Sequence, residues 1–192
     1  PDGITPEMIA LIKNNKKLLK YFDIPLQHIN DDLFKAMNRK MTRKEVERVQ
    51  ENLRREIPDS VIRTQFIVGF PGETEEQFQE LLSFVKKQKF DRVGCFKFSQ
   101  EESTVAGKAK NQIDEKTKQR RHDELMAAQQ EISKKKHKKY VGKVVEVLVE
   151  GFSEETELLL QGRTSQQAPD IDGVVLINEG QAKVGEIVKV KI

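Results

Sequence analysis

The sequence is poor in the residues that most often carry metal sites, disulfides and stacked bases. It has no tryptophan, two tyrosines and one cysteine in 192 residues. A single thiol, Cys95, excludes an internal disulfide and suits a reducing cytoplasm. It equally excludes a cysteine-rich metal site built from this chain alone. No apolar run approaches the roughly 20 residues needed to cross a bilayer, and the start has no signal-peptide pattern. No initiator methionine precedes Pro1-Asp2-Gly3, which reads as a processed chain or a piece of a longer one. With aromatics at 6% and charged residues at 34%, the core must rest on Leu, Ile, Val and Phe.

What is present reads first as alternating helices and strands. Thr5-Pro6 opens a helix expected to run to about Leu19, with a capping hydroxyl and Pro in the first turn. A strand is expected over 21–26, ended by Pro25. Asn30 caps a brief helix. Thr42 and Glu45 form a capping box for the next, in which Val46, Val49, Leu53 and Ile57 share one face. Residues 61–68 are a mostly apolar strand, which predicts burial on both sides. Thr74 and Gln77 cap a helix striped by Phe78, Leu81, Leu82 and Val85, and 91–99 make a third strand. Short connections between these elements imply parallel strands with right-handed crossovers. Three such strands form half a barrel better than a finished domain, so earlier strands are expected elsewhere.

A polar connector over 100–113 leads to a charged helix over 114–139, ending in Lys134-Lys135-Lys136-His137-Lys138-Lys139. That run is read as a solvated helix end favoured by the helix dipole, or as a contact for nucleic-acid phosphate. From Tyr140 the apolar period becomes two, punctuated by Gly and Asp. Four or five short strands in this stretch predict a small antiparallel barrel. The expected division is therefore 1–113, 114–139 and 140–192.

Ligands of parallel α/β folds sit at the carboxyl ends of the strands. Gln27 and His28 lie at one such end, and Gly69 to Thr74 at the next. Gly69 and Gly72 permit a tight turn and close approach by a ligand. Gln27 offers a donor and an acceptor, suited to a ribose or an amino-acid group. His28 could bond a ligand or anchor its loop. Arg63 could reach a carboxylate or form a structural ion pair.

Three stretches carry a resemblance: Tyr21-Phe-Asp-Ile-Pro-Leu-Gln-His28, Arg63-Thr-Gln-Phe-Ile-Val-Gly-Phe-Pro-Gly-Glu-Thr74 and Val93-Gly-Cys-Phe-Lys-Phe-Ser99. In order and spacing the chain resembles the radical-SAM methylthiotransferases, with a TRAM-like domain at its end. Pro1-Asp2-Gly3-Ile4 resembles the segment after the third barrel strand. Ile-Pro-Leu-Gln-His is similar to the RimO type rather than to the tRNA-modifying MiaB branch. The resemblance implies the second half of a partial α/β barrel, then a small antiparallel, OB-like barrel. It implies S-adenosylmethionine across the strand ends, held by Gln27, His28, Arg63, Ile67, Gly69, Gly72 and Phe96. It also implies two 4Fe–4S clusters, one on a CxxxCxxC loop. This chain has no such cysteines, so no catalytic or metal residue is assigned to it and alone it is expected to be inactive. Cys95 reads as a buried structural thiol. The superfamily pattern GxIxGxxE is partly met: Gln65 stands for its first Gly, and Glu73 falls one residue late, which argues against a direct cofactor role for Glu73. Phe98 stands where Tyr is usual.

Residues 140–192 hold five cationic side chains against nine acidic ones, a net of −4, while the whole chain is +3. An RNA-binding barrel is expected to be basic and aromatic. This one suits a basic protein. The reading is thus a cytoplasmic enzyme that methylthiolates an aspartate of a small-subunit ribosomal protein, docked through the acidic barrel, with no membrane partner. The alternatives are a tRNA methylthiotransferase, favoured by the basic run, and a non-catalytic docking fragment, favoured by the missing cysteines.

Overall fold

The computed structural model describes residues 3–192; Pro1 and Asp2, which belong to the Pro-Asp-Gly-Ile resemblance, lie outside the described residues. The first helix, α1 (Pro6–Asn14), starts where the Thr5 hydroxyl accepts the Met8 N–H. It stops short of the expected Leu19, because the Asn15 side chain accepts the Lys17 N–H and turns the backbone out of the helix. Strand β1 (Tyr21–Asp23) is also shorter than expected, with Pro25 preventing further regular pairing. Helices α2 (Asp31–Ala36) and α3 (Arg43–Glu56) follow, the second opened by the complete Thr42/Glu45 capping box. Strand β2 (Val61–Val68), helix α4 (Glu75–Gln88, boxed by Thr74 and Gln77) and strand β3 (Arg92–Lys97) complete the expected alternation.

The three strands form one parallel sheet in the order β1-β2-β3, with Asp23 beside Arg63, Arg63 beside Arg92, and Ile67 beside Phe96. Burial on both sides of β2 is not what the structure has. Ile62, Thr64, Phe66 and Val68 are buried, whereas Arg63, Gln65 and Ile67 are half-buried. The helices cover one face, where Val46, Leu53, Phe78, Leu81 and Phe90 build the main core. The other face is open toward the carboxyl ends of the strands. An apolar run alone could not reveal this, since its outward members are only three and one of them is isoleucine.

Helix α5 (Glu115–His137), capped by Asp114, packs along β3 and α4. A second sheet follows, from β4 (Val144–Ser153), β5 (Thr156–Arg163), β6 (Val175–Ile177) and β7 (Ile187–Lys191). It is antiparallel in the order β6-β5-β4-β7, with register shifts in β4 that bend it around Val147, Val149 and Ile177. Among the described residues β6 and β7 do not pair, so the expected barrel is a curled half.

The loop before β6 ties the two sheets together. Asp172, its side chain 2% exposed, accepts hydrogen bonds from the Tyr21 hydroxyl at 2.7 Å and Arg63 Nη1 at 3.4 Å. Arg92 Nε stands 3.5 Å away, and the Ala168 N–H donates to the same carboxylate at 2.9 Å. Burial, then the Asp172 hydrogen bond and charge, push the Tyr21 phenol up to about 12, so it stays a donor.

Candidate functional site

The residues singled out in the sequence fall into three places. The first is the open face at the carboxyl ends of β2 and β3. Gln27 sits there with φ 71, a left-handed conformation uncommon for a side chain of its size. Two backbone hydrogen bonds hold it: its N–H donates to the Gln65 carbonyl and its carbonyl accepts the Ile67 N–H, both at 2.8 Å. Such strain, of order 1–3 kcal/mol, clusters at ligand sites. Ile67 is half-buried beside Phe96, which is 54% exposed. A Cβ on Gly94 would lie 3.3 Å from the Phe96 ring, so glycine there lets the ring lean back over the strand. Gln27, Ile67 and Phe96 thus combine an apolar surface with a primary amide.

His28, Gly69 and Gly72 belong to the second place, a buried clamp. His28 is 0% exposed, and its Nδ1 accepts the Asn30 N–H at 3.0 Å. The ring proton is therefore on Nε2, which donates to Glu73 Oε1 at 3.1 Å. The loop-anchoring alternative for His28 is the geometry present. Glu73, also fully buried at its side chain, accepts the Gly69 N–H and takes Arg121 Nη1 at 2.7 Å. Arg121 further donates to the Glu73 carbonyl at 3.1 Å.

The glycines face protein rather than open space. A Cβ on Gly69 (φ +73) would stand 2.3 Å from Lys118 Cγ, and one on Gly72 (φ +81) 2.3 Å from the Asn111 amide. The turn is tight, as expected, but the close approach it permits is by α5 and the connector before it. Lys118, Arg121 and Asn111 were not legible as site residues. Lys118 and Arg121 carry one signal, their helical spacing before the apolar Leu125, and Asn111 in the polar connector carries none.

Arg63 lies in the third place, near the start of β2, roughly 13 Å below Ile67 at about 3.3 Å per residue. Its partners are Asp23 at 3.5 Å and Asp172 at 3.4 Å, the ion-pair arrangement. Between β3, α5 and the Asp172 loop lies a groove of about 740 Å³ that includes Arg63, Arg92 and Gly94.

Among the described residues no group of three or more His, Cys, Asp or Glu could hold a metal ion. Cys95 is buried, and burial, with the charges of Glu73 and Asp123, pushes its thiol up to about 12, which disfavours the thiolate a metal needs. Among the described residues no helix is long and apolar enough to cross a membrane.

Residues 1–85 match the radical SAM superfamily, and residues 141–192 the TRAM domain. The ribosomal protein uS12 methylthiotransferase RimO of Bdellovibrio bacteriovorus is 67% identical over 192 residues, all of this chain and 42% of that protein. The protein of the same name from Geobacter sulfurreducens is 50% identical, with 43% of its length covered. The chain thus spans about two fifths of the length of these relatives. Among solved structures, the radical SAM enzyme coproporphyrinogen III oxidase (HemN) of Escherichia coli superposes with a TM-score of 0.56 at 19% identity. It covers 68% of this chain and 30% of its own, a likeness of fold.

Proposed function

We propose that this chain, in which a radical SAM portion precedes a TRAM domain, belongs to the radical SAM methylthiotransferases and is part of an enzyme that methylthiolates an aspartate of ribosomal protein uS12. The observation that supports this best is the open face at the strand ends, where Ile67 and Phe96 lie side by side and the left-handed Gln27 backbone is bonded to β2 next to Ile67. The superfamily uses S-adenosylmethionine with iron–sulfur clusters. The open face fits the first: Ile67 and Phe96 suit the apolar face of an adenine, and the Gln27 amide can donate and accept to ribose or amino-acid groups. Gly69 and Gly72 act by setting the course of the turn beside that face, and His28 by anchoring the loop that carries Gln27. Arg63 serves the fold below the site rather than the ligand.

This chain's residues do not fit an iron–sulfur cluster, because its one cysteine is buried. The cluster ligands belong to other parts of a longer protein. With its cluster, S-adenosylmethionine supplies the one-electron chemistry that activates a C–H bond; the protein positions and shields it. In this reading residues 1–113 form the barrel half, 114–139 the connecting helix and 140–192 the docking module. The net charge of −4 on that module attracts a basic ribosomal protein in the cytoplasm.

The test is anaerobic assay of the full-length protein with purified uS12, read by peptide mass spectrometry. Replacement of one aspartate hydrogen by a methylthio group is the expected result, and Phe96→Ala is expected to raise the KM for S-adenosylmethionine about tenfold. A reconstituted enzyme that modifies tRNA and leaves uS12 untouched would overturn the substrate. That second reading draws on the exposed Lys134, Lys135, Lys138 and Lys139 at the end of α5.

A further inference from the structure

The β4–β5 hairpin carries a surface that the cores do not use. Its tip exposes Leu158 at 90% and Phe152 at 61%. Single exposed apolar residues are ordinary, but two large ones on one short hairpin invite a partner. Around them stand Glu150, Glu154, Glu155 and Glu157, and the hairpin from 150 to 158 has no Lys or Arg. Glu150 is engaged by Arg163 at 2.9 Å, farther down the strands. Among the described residues Glu154, Glu155 and Glu157 are exposed and take part in no ion pair. Ser153 pairs with Thr156 across a short turn, and the register shift beside it leaves 157–159 outside the ladder, so Leu158 stands out from the sheet near Phe152.

This combination selects its occupant. Nucleic acid and anionic lipid surfaces carry negative charge and are repelled by the glutamates. A second copy would bring glutamates against glutamates. A basic polypeptide segment with an apolar residue among its Lys or Arg meets both features, cationic groups on the rim and a hydrophobic anchor at the centre. We propose that this hairpin tip is the docking point for a basic protein segment, with Leu158 and Phe152 as anchors and Glu154, Glu155 and Glu157 as the charged rim. The inference rests on the reading of residues 140–192 as the docking module and narrows it to one hairpin.

Purified uS12 serves as the probe, its binding to the full chain measured by calorimetry at low and high salt. The Phe152→Ser/Leu158→Ser double variant is expected to bind at least tenfold more weakly at both salts, about 1.4 kcal/mol. The Glu154→Gln/Glu155→Gln/Glu157→Gln variant is expected to lose affinity at low salt and to match the unaltered chain at high salt, where exposed charges are screened. All five positions are exposed or at the turn, so unchanged thermal midpoints are expected to accompany these losses. If the unaltered chain binds uS12 and both variants bind equally well, the hairpin inference fails while the docking module stands. If the unaltered chain does not bind uS12, the docking reading fails and takes the hairpin with it.

Discussion

At Glu73 one buried carboxylate meets three separated parts of the chain: His28, the Gly69 N–H and Arg121. Removing one partner of a fully buried pair leaves a charge without compensation, which typically costs about 3–5 kcal/mol. Arg121→Met is therefore expected to lower unfolding stability by about that amount in urea titration, with only part regained in Arg121→Lys. Adding Glu73→Gln to Arg121→Met is expected to cost less than the sum of the single changes, since no lone charge then remains. Two other carboxylates contribute to the acid limb of stability. Burial pushes the Asp91 carboxyl up, but Lys136, the Ile62 N–H and Arg54 outweigh it and hold it below the usual range. For Glu75 the Arg120 hydrogen bond outweighs the opposing effect of burial and, with Gln79 and Arg121, holds it down to about 2. A carboxylate held low adds stability above its unfolded pKa, about 4 for these groups, and loses it as pH falls through the folded value. Thermal midpoints are thus expected to fall from about pH 4 toward pH 2, and Asp91→Asn is expected to flatten that decline.

Among the elements, α5 shows in the sequence a sparse apolar side of Leu125, Met126 and Ile132, which packs on the core, yet it also buries Lys118, Arg121 and Gln129. Lys118 lays its methylenes against Gly69 and its ammonium over the Phe98 ring at 5.6 Å. Gly69→Ala therefore meets both a left-handed φ and the Lys118 stem. Gly185 (φ +89) has the same kind of backbone but nothing within 4 Å of its Cβ direction. Gly185→Ala is expected to cost about 1 kcal/mol from strain alone, and Gly69→Ala at least about 1 kcal/mol more. Urea midpoints of the two variants check this, and Lys118→Ala added to Gly69→Ala is expected to recover the difference. The same contrast separates what local sequence can disclose from what it cannot. Capping boxes at Thr42 and Thr74 and the apolar stripe of α4 are local, and they announce their helices. The start of α1 is equally legible, but its end depends on the Asn15 turn. The Gly-Phe-Pro-Gly turn points to a site, but its neighbours on α5 lie about 50 residues on. Helical spacing from Leu125 marks the face that Lys118, Arg121 and Gln129 share, but the partners they meet there are decided by tertiary packing.

For the whole molecule, Asp172 is the link between the two sheets, and its ligands Tyr21, Arg63 and Arg92 come from all three strands of the first. Asp172→Ala leaves two half-buried guanidinium groups facing one another, and a loss of about 3 kcal/mol is expected. Calorimetry is expected to resolve a single transition into two as the sheets uncouple, with residues 164–174 becoming the first site of proteolytic cutting. A single unshifted transition would show that α5 alone holds the assembly. Alternation of helix and strand in the first part and period-two patterning in the second are both legible in the residues themselves. The clasp between them is not, because an aspartate in an Ile-Asp-Gly turn carries the sequence of any surface loop.

The same clasp has a temporal side. Asp172 lies 151 residues after Tyr21 and 109 after Arg63. On a ribosome that makes the chain from its amino end, the first sheet emerges long before its counter-charge does. Until residue 172 clears the exit tunnel, Arg63 and Arg92 stay beside each other without their shared partner. A product ending before 172 would keep Asp23 beside Arg63 but leave Arg92 without the carboxylate the two guanidinium groups share.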